Sequence, residues 1–170
     1  MIVVADTSPL NYLIQIGCAS LLPALYERVL IPTAVVAELD DPRTPAVVKR
    51  WLLHVPKWVE VLRTASAPDA ELSFLGPGER EAIQLAQERH ADLLLIDERR
   101  GRFEAMRRGL FTTGTLGVLL ASAERGLVDA QASYHRLLRE TNFRATPALQ
   151  ENFLQQAREI VEKSRSRPRR

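Results

Sequence analysis

The chain has 170 residues, 46% hydrophobic and 26% charged, enough for one domain with a real core and marginal for two. Its 23 basic and 21 acidic residues leave a net charge of +2, and the single cysteine, Cys18, excludes a disulfide framework and a thiolate metal cage. Met1 leads directly into a strand pattern without a signal peptide, and no apolar stretch is long enough to span a bilayer. A reducing, cytoplasmic setting with no membrane partner is therefore expected.

Ile2-Val3-Val4-Ala5 is apolar on both faces and reads as a strand buried in a parallel sheet. Asp6-Thr7-Ser8 follows at the strand's exit, the end at which open α/β sheets bind ligands. The competing reading makes Asp6 or Ser8 an N-cap, with Pro9 in the first helical turn. Residues 9–27 carry a helical apolar pattern interrupted near Gly17-Cys18, which predicts two short helices. Val29-Leu30-Ile31 is a second strand, stopped by Pro32, and Thr33 is read as the cap of a helix containing Val35, Glu38 and Leu39. Glu38 stands in an otherwise apolar turn, where an ionised carboxylate needs a partner, a metal or water.

Ala46 to Leu53 reads as a further helix and Val59 to Leu62 as a third strand, followed by a linker over Ala65 to Ser73 without strong structure. Gly76-Pro77-Gly78 marks a turn, and Glu79 opens a helix running to about Arg89. Glu79 and Glu81 both suit the helix dipole, which is the competing account of each. Leu93-Leu94-Leu95-Ile96 is a second buried strand, and it too ends in aspartate, Asp97. Asp97 has its own rival reading, as the cap of a helix over Glu98 to Arg108. Leu110 to Thr113 reads as a fifth strand with its exit at Gly114-Thr115, then a helix over Leu116 to Glu124. Asp129 and Thr146-Pro147 open the last two helices, the final one amphipathic, and a Ser/Arg/Pro-rich tail ends the chain.

Short buried strands alternating with helices predict a three-layer α/β/α fold around a mostly parallel five-stranded sheet. Right-handed crossovers then place Asp6, Asp97 and the Thr113-Gly114 exit on one edge, within reach of Glu38 and Glu79. Carboxylates drawn together resist joint ionisation, and a divalent cation resolves the conflict. All-oxygen ligands favour Mg²⁺ or Mn²⁺ over Zn²⁺, which points to metal-assisted phosphodiester hydrolysis. Arg99, Arg100, Arg102, Arg107 and Arg108 cluster beside Asp97 and suit a polyanion. His54, His90 and His135 match no ligand spacing and are expected at the surface or at helix ends.

The ordered set of Asp6-Thr7-Ser8-Pro9-Leu10, Ile31-Pro32 with Val35 and Glu38-Leu39, Gly78-Glu79 with Glu81-Ala82-Ile83, Leu95-Ile96-Asp97-Glu98 and Gly114-Thr115-Leu116-Gly117 resembles a PIN-domain protein. The likeness is to the VapC toxin ribonucleases of VapBC-type toxin–antitoxin pairs. Within these, it is to the uncharacterised PIN-like group beginning Asp-Thr-Ser-Pro-Leu. It covers roughly residues 1–145, which are expected to form the nuclease domain. Residues 146–163 would form an amphipathic helix packed on the domain or a partner, and 164–170 a disordered basic tail.

The resemblance implies an acidic catalytic site of Asp6, Glu38, Glu79 and Asp97. Asp6, Glu79 and Asp97 would bind Mg²⁺ or Mn²⁺, and Glu38 would orient water or help hold a metal. Arg99, Arg102 and Thr113 would contact the RNA substrate. It also implies a homodimer and a cognate antitoxin. Two positions depart from typical toxin members, which carry aspartate at Glu79 and threonine at Leu95. A PIN-like module that binds RNA or protein without cutting is the rival from another class. An aspartate-nucleophile phosphatase is disfavoured because Ser8 stands where its second aspartate belongs, and a nucleotide-binding domain because no glycine-rich loop follows the first strand.

Overall fold

The computed structural model describes residues 1–166. Five strands form one sheet: β1 (Ile2–Ala5), β2 (Arg28–Pro32), β3 (Val59–Leu62), β4 (Leu93–Leu95) and β5 (Thr112–Thr113). Their order is β3-β2-β1-β4-β5 and all are parallel. The chain winds outward from β1 to β3, then returns to the other side of β1 for β4 and β5. The reversal lies between β1 and β4, the switch point at which doubly wound sheets open a crevice.

Alternation along the strands splits the apolar residues between two cores. Val3, Ala5, Val29, Ile31 and Leu95 face one layer of helices. It comprises α1 (Thr7–Gln15), α2 (Leu21–Leu25), α3 (Thr33–Leu39), α4 (Ala46–Leu53), α7 (Thr115–Glu124), α8 (Ala130–Glu140) and α9 (Pro147–Ser166). Val4, Leu30, Leu94 and Ile96 face the other layer, α5 (Pro77–Glu88) and α6 (Arg99–Arg107). The fold is the expected three-layer α/β/α sandwich. α1 and α2 are separated at Gly17, whose φ of +69° is a left-handed conformation that glycine adopts without a Cβ clash.

Several local expectations are corrected. Residues 65–73 contain a 3-10 turn, Ala70–Leu72, with Leu72 fully buried. Glu88 accepts from Ala65 N (2.8 Å) and Ser66 N (3.1 Å), and Arg108 pairs with Asp69 at 2.7 Å. The partners are distant side chains, so no local pattern announces the order. Thr33 does not cap α3. Glu81 does so from α5, accepting from Ala34 N at 3.0 Å and from the Thr33 hydroxyl. β4 stops at Leu95, and β5 is confined to Thr112–Thr113 with Phe111 exposed before it.

The arginine cluster is also divided by the fold. Arg107 and Arg108 are engaged by Glu104, and Arg108, whose side chain is only 12% exposed, also reaches Asp69 and Glu71. Arg100 lies over the Phe74 ring. The three histidines are exposed. α9 buries Phe153 and Ala157 and continues through residues 164–166, which were expected in a disordered tail. The rest of that expectation, 167–170, lies outside the described residues. No described helix is long and apolar enough to cross a membrane.

Candidate active site

Asp6 and Asp97 leave the two strands that flank the switch point. Ala5 pairs with Leu95, and the Asp6 N–H donates to the Leu95 carbonyl at 2.9 Å. This bond ties the first exit loop to β4. Asp6 occupies the N-cap position of α1, yet its side chain makes no capping hydrogen bond. It is only 2% exposed, and its Oδ1 has no hydrogen-bond partner among the described residues. Burial, against the Thr7 N–H and together with the charges of Glu79, Glu38 and Asp97, pushes its carboxyl up to about 8.

Asp97 does not cap α6, whose N-cap is Glu98. It turns instead to α7, where Thr115 donates its N–H to Oδ1 and its hydroxyl to Oδ2, both at 2.7 Å. Burial raises the Asp97 carboxyl, while Thr115 and Arg102 pull it down. Gly114 permits this approach, because a Cβ there would stand 2.5 Å from Asp97 Oδ1.

Glu38 is fixed from two sides. The Thr7 hydroxyl donates to its Oε2, and Gly78 N donates to its Oε1 at 2.8 Å. A side chain on Gly78 would overlap the Glu38 carboxylate and come within 2.8 Å of Thr7 Oγ1. Glu79 accepts from Gly76 N at 3.1 Å, a capping bond at the start of α5 in addition to the helix-dipole role the sequence suggests. Its other oxygen lies against Gly101. Burial raises the Glu79 carboxyl, followed by the charges of Glu98 and Glu38, while the Gly76 N–H and Arg100 lower it.

All four carboxylates therefore share one electrostatic neighbourhood at the carboxyl end of the sheet. Arg102 joins them beside Asp97 and Gly114. Thr113 lines a cleft that opens at Asp97 and Arg102, and its hydroxyl packs on Gly117. Arg99 is exposed at the start of α6, outside the cleft. Leu95, where toxin members carry threonine, is fully buried among Val3 and Ala5, so that departure falls in the core. The sequence offers Thr115 only as an alternative to Thr113 for an extra polar contact at the Gly114-Thr115 exit, and it does not point to Thr7. Thr7 differs in no local feature from an ordinary residue of a first helical turn.

Among the described residues, no three carboxylate, imidazole or thiolate groups converge as a ready-made cation cage. The buried, unpartnered Asp6 oxygen nevertheless fits a cation, because an ionised carboxylate in that place must be neutralised. The donor set is all oxygen. Mg²⁺ in such settings takes one or two carboxylates and keeps its waters.

A family model described as a PIN domain matches residues 2–159. The chain belongs to the PIN-domain family. Such domains are generally nucleases and typically use divalent metals, so the fold is of a nuclease type. No curated protein matches the chain.

Proposed function

We propose that the protein is a Mg²⁺- or Mn²⁺-dependent endoribonuclease. The observation that carries the reading is the buried Asp6 carboxylate, whose Oδ1 has no partner among the described residues and which feels the charges of Glu79, Glu38 and Asp97. Asp6, Asp97 and Glu79 would hold the cation. When bound, it supplies positive charge for the leaving oxygen and acidifies a water. Asp97 is held in place by Thr115, which fixes the direction of its remaining lone pairs. Glu38, pinned by Thr7 and Gly78, orients the attacking water. Arg102, at the mouth of the cleft, holds a substrate phosphate, with Arg99 further out on α6 and Thr113 on the cleft wall.

The toxin component of a VapBC-type pair is the role we assign to this activity. A cognate antitoxin, RNA as substrate and a homodimer complete that reading, with the cytoplasm as its setting. The test is cleavage of total RNA by the purified protein in Mg²⁺ or Mn²⁺, with and without EDTA. Cutting that EDTA and Asp6→Asn each abolish supports the nuclease. RNA binding without cutting by the metal-loaded wild type supports the rival, a binding module. Growth arrest on expression, relieved by Asp6→Asn, tests the toxin role.

A further inference from the structure

Two grooves flank the acidic centre, and residue Asn142 lines both. One contains Glu38 with Asp41 and Glu140, and its Arg43 is engaged by Asp41. The other, a cleft of about 540 Å³, begins at Asp97 and Glu98 and carries Arg102 and Arg144, so its charges balance where those of the first groove are net negative. The charges favour the second cleft for a polyanion.

This second cleft contains more than phosphate binding needs. Its far wall is α9, anchored by Phe153, which is 1% exposed and packs against Tyr134 at 5.0 Å between ring centroids. From that rigid wall Asn152 and Gln156, one helical turn apart, line the cleft. Gln156 Nε2 donates to Asn152 Oδ1, which orients both amides. The groups left free are the Asn152 NH₂ and the Gln156 carbonyl oxygen, a donor beside an acceptor, the pairing that nucleobase edges present. Tyr12 lines the same cleft, its ring held edge-to-face by Phe143 at 5.3 Å and 87°. An aromatic side chain beside a cationic track is how single strands are held by their bases.

We propose that this cleft seats a nucleobase of single-stranded RNA next to the scissile phosphate, with Asn152 and Gln156 reading its edge. The inference rests on the nuclease reading above and adds to it a determinant of sequence preference. Single-stranded substrate follows from the chemistry, since a base edge can enter a cleft only when it is unpaired and unstacked. Arg102 and Arg144 hold the flanking phosphates, and Tyr12 supports the base.

The experiment is sequencing of cut sites in a random-sequence single-stranded RNA, digested in Mn²⁺ by wild type, Asn152→Ala/Gln156→Ala and Gln155→Ala. Asn152, Gln155 and Gln156 are exposed, so each protein folds, which matching melting temperatures verify. Wild type is expected to favour one base at a position beside the cut, and Gln155→Ala, outside the cleft, to keep that preference. The double variant is expected to weaken it about tenfold, the scale of one bidentate amide–base contact. Wild-type cutting without a flanking preference, or an unchanged preference in the double variant, overturns the inference and leaves the nuclease standing. The second result is also the one expected of a cleft that seats a protein segment instead. Failure of the wild type to cut any RNA overturns the nuclease reading and this inference with it.

Discussion

Thr115 grips Asp97 with two hydrogen bonds of 2.7 Å, one from its backbone N–H and one from its hydroxyl, and is itself 0% exposed. The pair joins the exit of β4 to the first turn of α7. The backbone bond survives any substitution at Thr115 except proline, while the hydroxyl bond needs Ser or Thr. Thr115→Val is therefore expected to lower kcat for RNA about 10- to 100-fold, the usual cost of losing a group that orients a metal-binding carboxylate. Thr115→Ser is expected to restore most of the rate. Equal rates for Val and Thr proteins under single-turnover conditions would contradict the assigned role.

The acidic centre should make the metal-free protein sensitive to alkaline pH. Folded Asp6 titrates at about 8, whereas an unfolded aspartate titrates at about 3.9. Between these values the folded chain holds a proton that the unfolded chain has released, so stability falls as pH rises through this window. In EDTA, the melting temperature is expected to drop between pH 5 and about pH 8. Asp6→Asn should flatten the decline and raise Tm at the upper end by about 5 °C. Thermal scans across that range decide the matter, and a flat wild-type profile would count against it.

Cation binding should reverse the same destabilisation. Mn²⁺ at about 100 times its Kd stabilises a one-site protein by about 2.7 kcal/mol, a rise of roughly 5–11 °C for a chain of this size. The rise is expected in wild type and lost in Asp6→Asn and Asp97→Asn. It should also shrink as pH falls, because protons compete for the carboxylates. Differential scanning calorimetry with a metal titration measures all three effects.

Gly78 lets α5 approach Glu38 and Thr7. Gly78→Ala forces the Glu38 carboxylate aside, and its expected result is an RNA-cleavage rate about 100-fold lower with circular dichroism unchanged. A Gly78→Ala protein of wild-type activity would show that Glu38 need not hold its position.

Glu104 has a structural part away from the site. It accepts from Arg107 and Arg108, which hold its carboxyl down at about 2. Its contribution is therefore present above the ordinary glutamate range and lost as pH falls through that range toward 2. Glu104→Gln is expected to cost about 2 kcal/mol at neutral pH, a fall of roughly 4–8 °C in Tm, by leaving Arg108 short of one of its two closest partners. RNA cleavage at 25 °C should be retained.

Much of the scaffold was legible because its signals are local. Val3 and Val4, like Leu94 and Leu95, are apolar on both faces, and each run ends at an aspartate. Strand type and exit residue could both be read from them. The Gly17 break and the capping role of Asp129 were equally plain, since a cap or a left-handed turn is decided within a few residues.

What the sequence by itself determined was the kind of element at each place and the carboxylates available to a site. Only the tertiary structure decided which of those groups meet. Gly78 N reaches Glu38 across 40 positions, Arg108 reaches Asp69 across 39, and Thr115 reaches Asp97 across 18. Those contacts took Arg108 out of the polyanion surface, helped order residues 65–73 and set Thr115 against Asp97. The packing of α9 on α7 and α8 placed Asn152 and Gln156 on the wall of a cleft that opens at Asp97. Periodicity reports burial along one element, whereas the partner of a charge or an amide is set by whichever distant segment packs beside it.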